Sequence, residues 1–268
     1  QSIAALSDAQ VSAFTGQQVA YLTNSQMGAL TSDQVAAITT DQIPQLKAAQ
    51  LASISTAGLA GLGSTQIEAF SAVQIGGLRT EQIATMATEQ IAAIASEDIR
   101  GLTRQQMAAL QSDQVGGLTS DQVTAFNATQ LAALETEDLI ALSTDNIAAL
   151  TTGQMAAFTS AQISNLTTDQ IVALETEDLG MLKGTQIVAL ESDQFAAMTT
   201  DQIQSLKPSQ IATIESQDLN ALSTDQIQSL TSDQLPALTT YQFKNLATDS
   251  LVAFTTDQIQ ALSTKDIS

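Results

Sequence analysis

The apolar residues of this chain recur at alternating intervals of three and five. A half-buried strand would alternate every second residue, and a long amphipathic helix would keep to three or four. Numbered from Thr31, one unit reads Thr31-Ser32-Asp33-Gln34-Val35-Ala36-Ala37-Ile38, and the next reads Thr39-Thr40-Asp41-Gln42-Ile43-Pro44-Gln45-Leu46. The register runs from Ser7 to Leu262 without insertion or deletion, giving 32 octads within a single array that spans residues 1–268. Positions 5 and 8 are apolar in all 32, position 4 is Gln in 25, and position 2 is Ser, Thr, Asp, Asn or Gly in 27. Position 7 is small in most. A fixed period of this kind builds by stacking neighbours rather than by enlarging one core.

One continuous helix does not fit. At about 100° per residue, eight residues advance about 800°, so the apolar stripe would drift about 80° per octad around the helix. Pro44, Pro208 and Pro236 would also interrupt it. Short helices joined by turns fit better. Position 2 has the composition of an N-cap, and the acidic residues common at position 3 suit a first turn. Positions 3 to 8 then form about one and a half turns, with positions 5 and 8 on one face. So short a helix is unstable alone and depends on its neighbours. Pro44 and Pro236, at position 6, call for 3₁₀ geometry or a local distortion. The expected fold is therefore an all-α repeat solenoid of short N-capped helices, one per octad. A β-solenoid is the alternative.

A longer period overlies the octad. Position 4 departs from Gln at Asp98, Asp138, Asp178 and Asp218, spaced by 40, and Gly58 lies on the same series. Position 7 is polar at Gln45, Thr85, Asn165, Ser205 and Asn245, on the same grid. Two explanations are open: duplication of a five-octad block, or five octads in each solenoid turn. In the second case each series becomes a column, and the small position 7 lies where coils touch.

Composition narrows the chemistry. The net charge is −20 with 8 basic residues, which argues against nucleic acid, whose phosphates need Lys and Arg. No apolar run is long enough to span a bilayer. Cysteine and histidine are both absent, removing thiol chemistry, the usual general base and the usual zinc or haem ligand. Met27, Met107 and Met155 occupy apolar core positions. The candidate ligand site is acidic: Glu135, Glu137 and Asp138, repeated as Glu175, Glu177 and Asp178. Carboxylates in such number suit weak binding of Ca²⁺, although no Gly-containing calcium loop accompanies them. A solvated acidic stripe is the plainer reading. No catalytic residue and no other cofactor is expected, so the chain reads as structural rather than enzymatic.

The motif Thr-Thr-Asp-Gln-Ile-x-Ala-Leu, at 167–174 and 255–262, resembles the octapeptide arrays of very large bacterial surface or exported proteins. Those are often described as adhesin-like or haem-utilisation proteins. The resemblance covers essentially the whole chain and implies an extracellular or cell-surface bacterial location and a repetitive rod. Its implied role is a stalk or spacer, with self-assembly into a filament as the alternative. The implied partners are flanking domains of the same chain, or other copies end to end or side by side.

Overall fold

The computed structural model describes residues 3–262. Among them are 29 α-helices of four to six residues and four 3₁₀ helices of three, and no strand. The all-helical repeat solenoid is therefore the observed fold. Its contacts gather into two compact units, Gln1–Leu142 and Ser143–Ser268, which are described separately below.

Octads with Ser or Thr at position 1 and Gln at position 4 form their helices through a reciprocal cap. Thr199 is representative of the second unit: its backbone is extended (φ −73°, ψ 160°), and Thr200–Ser205 follow as helix. The Gln202 N–H donates to Thr199 Oγ1 at 3.2 Å, and the Thr199 N–H donates to Gln202 Oε1 at 2.9 Å. This is the capping box, in which two otherwise orphaned backbone donors are satisfied at once. The N-cap thus falls at position 1 rather than at position 2. Position 2 is the first helical residue, where small polar side chains are also comfortable. The cap survives when position 1 has no hydroxyl, because half of it is backbone. The N–H groups of Lys47, Arg79 and Ala87 still reach the glutamine three residues on, at 2.7, 2.8 and 3.0 Å.

The three prolines each fall where the backbone tolerates them. Pro208 opens the helix Pro208–Ile211, a position whose N–H has no helical partner. Pro44 and Pro236 lie within the 3₁₀ helices Ile43–Gln45 and Leu235–Ala237. The 3₁₀ geometry expected at position 6 is present at both.

Positions 5 and 8 form the core. In the first unit Ile67, Ile83, Ile91 and Met107 are fully buried, and in the second Ile163, Ile187, Phe195 and Ile203 are. Within each unit, helices pack against those three octads on: Ala48–Ser53 against Ala72–Gly77 in the first, and Thr200–Ser205 against Thr224–Ser229 in the second. Position 7 lies at these contacts. A Cβ on Gly101 would meet the Ala72 carbonyl oxygen at 2.0 Å, and one on Gly77 would meet Ala48 Cβ at 2.4 Å.

The turn of the solenoid is smaller than the forty-residue grid suggested. Bonds between coils join residues 25 to 31 apart, as in Arg79 to Ile54 and Gln82 to Leu51. A coil therefore closes after between three and four octads, not five. Side chains from three or four short helices fill the interior, whereas a five-sided coil with the same Ile and Leu would leave a void that native packing density forbids.

Candidate functional site

The feature that recurs along the array is the glutamine at position 4. Its Oε1 completes the cap of its own helix. Its Nε2 turns inward and donates to two backbone carbonyls of the coil before, at positions 5 and 8. Gln82 Nε2 reaches the Leu51 and Ile54 oxygens at 3.0 and 2.9 Å. Gln202 Nε2 reaches those of Ile171 and Leu174 at 2.8 and 2.9 Å. Gln50, Gln74 and Gln114 in the first unit, and Gln194, Gln210 and Gln234 in the second, repeat the arrangement. These side chains are buried; Gln82 is 0% and Gln202 2% exposed. One amide thus satisfies both faces of a junction: the start of its own helix, and carbonyls released at the end of a helix in the neighbouring coil.

The acidic octads break this pattern. At Asp138, Asp178 and Asp218 the capping box is absent. Carboxylates have no N–H to donate, so they point elsewhere. Asp98 Oδ1 accepts from the Ala72 N–H at 2.7 Å, Asp138 Oδ1 from Ser112 Oγ at 2.6 Å, and Asp218 Oδ1 from Ser192 Oγ at 2.6 Å. All three partners begin helices, where a negative charge is favourable. Asp178 differs. It is 2% exposed and its Oδ2 has no hydrogen-bond partner. Burial, and secondarily the charges of Glu175 and Glu177, raise its pKa to about 6. Burial also raises that of Asp218, against the lowering effect of the Ser192 bond.

Of the six residues singled out as calcium candidates, Glu135, Glu137, Glu175 and Glu177 are exposed, Asp138 is half-buried and Asp178 is buried. Among the described residues no group of three or more such ligands stands close enough to hold a metal ion. Nor do residues forty apart within a unit stack into a column. Asp98 and Asp138 turn to Ala72 and Ser112, each 26 residues back, rather than to one another. The remaining concavities are shallow. A groove of about 450 Å³ in the second unit is lined by Thr213, Glu215, Gln217 and the exposed Tyr241, among others. One of about 310 Å³ in the first is lined by Glu97, Arg100 and Asp121, among others. Neither brings together a nucleophile, a base and an oxyanion donor.

The repeat itself decides the kinship. The model of the ALTTAQ repeat matches residues 35–72, 51–88, 91–128, 131–168, 171–208 and 211–248. The chain belongs to the ALTTAQ repeat family. The six letters correspond to positions 7, 8, 1, 2, 3 and 4 of the octad: residues 149–154 read Ala-Leu-Thr-Thr-Gly-Gln. They span the last core residue of one helix and the capping box of the next, so the ALTTAQ signature is the junction that the glutamine holds. No curated protein matches the chain. Among the described residues no helix is long and apolar enough to cross a membrane.

A glutamine in each turn can bond neighbouring backbone groups, and it does; what sequence reasoning missed was its part in the capping box and which carbonyls it reaches. Ser or Thr at position 1 with Gln at position 4 is the spacing of a capping box, and that signal was available. The Nε2 bonds to the coil before had no local signature, since their acceptors are backbone groups 28 and 31 residues away.

Proposed function

We propose that this ALTTAQ array is the structural stalk or spacer of an adhesin-like protein on the bacterial surface, holding flanking domains of the same chain away from the cell. The observation that carries this reading is the Gln202-type junction. Coils are joined through backbone carbonyls, so the array extends by repetition without needing a special sequence at any coil. An unbroken register supports it, because a catalytic or ligand pocket is ordinarily built where a repeat is interrupted. A net charge of −20 keeps such a surface solvated and discourages adhesion to itself or to anionic lipid.

The test is made in cells that carry the native protein. Externally added protease or antibody should reach the array on intact cells. Removing whole octads should shorten the reach of the flanking domains in step with the number removed. An array shielded until the cells are lysed would sink the surface assignment, and a reach indifferent to octad number would sink the spacer role.

A further inference from the structure

From residue 58 to residue 218 the position-4 residues without a side-chain N–H recur every forty residues, and each interruption removes several bonds at once; Ser250 lies off this series. A glutamine at residue 98 would donate to the carbonyls of Ile67 and Phe70, counting back the 31 and 28 residues seen for Gln82. On the same count residue 138 faces Met107 and Leu110, residue 178 faces Ile147 and Leu150, and residue 218 faces Ile187 and Leu190. Each of these four positions holds Asp, and residue 58 holds Gly. None of those side chains has an N–H to give. The return bond to the N-cap backbone is lost with it in the octads of Gly58, Asp138, Asp178 and Asp218. Asp98, Asp138 and Asp218 exchange the lost link for one bond to the helix three octads before. Asp178 is buried with Oδ2 unbonded.

We propose that octads 55–62, 95–102, 135–142, 175–182 and 215–222 are built-in seams, at which a coil detaches from the coil before it more readily than anywhere between. The spacing makes the seams discrete. They recur every five octads whereas a coil closes in fewer than four, so no coil holds two, and within each unit neighbouring seams are separated by intact junctions, as at Gln82 and Gln114 in the first and Gln194 and Gln202 in the second. Opening at a seam releases one short segment and leaves the flanking coils docked. The array therefore yields locally and in steps under thermal agitation or load. This is a property of the fold and stands whether or not the array is a surface stalk.

Backbone amide exchange on the whole chain tests it. The amides of Leu179 and Leu182 and those of Ile203 and Leu206 make the same bonds within their own octads, so local geometry is matched and the junction is what differs. With two or three bonds missing, Leu179 and Leu182 should exchange roughly tenfold or more faster than Ile203 and Leu206. D178Q should bring them to the slower rate. Equal exchange in the unsubstituted chain overturns the proposal. So does faster exchange that persists in folded D178Q, which would assign the weakness to the local turn. If D178Q does not fold, Q202D answers the same question from the other side. It should speed Ile203 and Leu206 while leaving the amides of Ile211 and Ile214 unchanged, and an unaltered Ile203 rate would overturn the proposal equally.

Discussion

At the scale of the residue, one side chain type decides where helices start and how coils adhere. The Gln202 side chain makes four bonds that water cannot replace, because the group is 2% exposed. Gln202→Leu keeps the volume but strands the Thr199 N–H and the Leu174 carbonyl, and leaves the Ile171 carbonyl with only the Leu174 N–H. Urea unfolding followed by circular dichroism should show a loss of about 2–4 kcal/mol. Asp178 gives the opposite case, a carboxylate without compensation. Its folded pKa is raised to about 6 from the ordinary 3.8, so the folded state holds a proton that the unfolded state releases. The favourable contribution is therefore full below about pH 4 and lost as pH rises through about 6. Asp178→Asn should flatten that part of the curve of urea midpoint against pH; a wild-type curve without this decline between about pH 4 and about pH 6 would show that the carboxylate is solvated. None of this was legible from residue type alone. Asp138, Asp178 and Asp218 occupy the same octad position, and what separates them is whether a serine hydroxyl 26 residues back donates to the carboxylate.

At the scale of the element, much was readable. The 3-and-5 spacing identified the two core columns, and the position-6 prolines foretold the 3₁₀ segments at Ile43–Gln45 and Leu235–Ala237. The N-cap was misplaced by one because positions 1 and 2 are both rich in Ser and Thr, and only the pairing of position 1 with position 4 distinguishes them. The true register makes a sharp prediction. Thr200 is the first helical residue, and Thr199 before it is already extended, as a residue preceding proline must be. Thr200→Pro should leave the melting temperature within a few degrees, whereas Ile203→Pro should cost about 3 kcal/mol or more. A capped helix starting one residue later would reverse the tolerance. Gly101 tests the coil contact in the same way. Its missing Cβ would press on the Ala72 carbonyl, so Gly101→Ala should destabilise the first unit by about 1–3 kcal/mol in denaturant titrations.

At the scale of the molecule, the number of octads per coil was not legible, for a physical reason. Every octad presents the same core columns and most carry the same cap, so the pattern is compatible with any coil size. Interior volume and the reach of a glutamine side chain choose among them. The forty-residue grid thus marks where junctions are interrupted rather than how the chain winds. The charge of −20 acts at this scale too. Only 8 residues are basic, and self-repulsion opposes the compact state. Raising ionic strength from about 0.01 to about 0.15 M shortens the Debye length from roughly 30 to roughly 8 Å, and the melting temperature should rise by a few degrees. An unchanged value would mean that the acidic side chains are too well solvated to strain the fold.

The backbone nature of the glutamine's acceptors bears on heredity. A carbonyl has no side-chain identity, so Gln202 would find the same two oxygens in any octad placed beneath it. Gain or loss of twenty-four nucleotides, or any multiple, leaves each donor above an acceptor and each core column continuous. A shift of three nucleotides displaces the glutamines of the following coil from their carbonyl pairs, which lie 28 and 31 residues before them. Unequal recombination between copies is therefore neutral to folding when it respects the octad and ruinous when it does not. Related arrays should differ in length by whole octads while their internal register stays fixed.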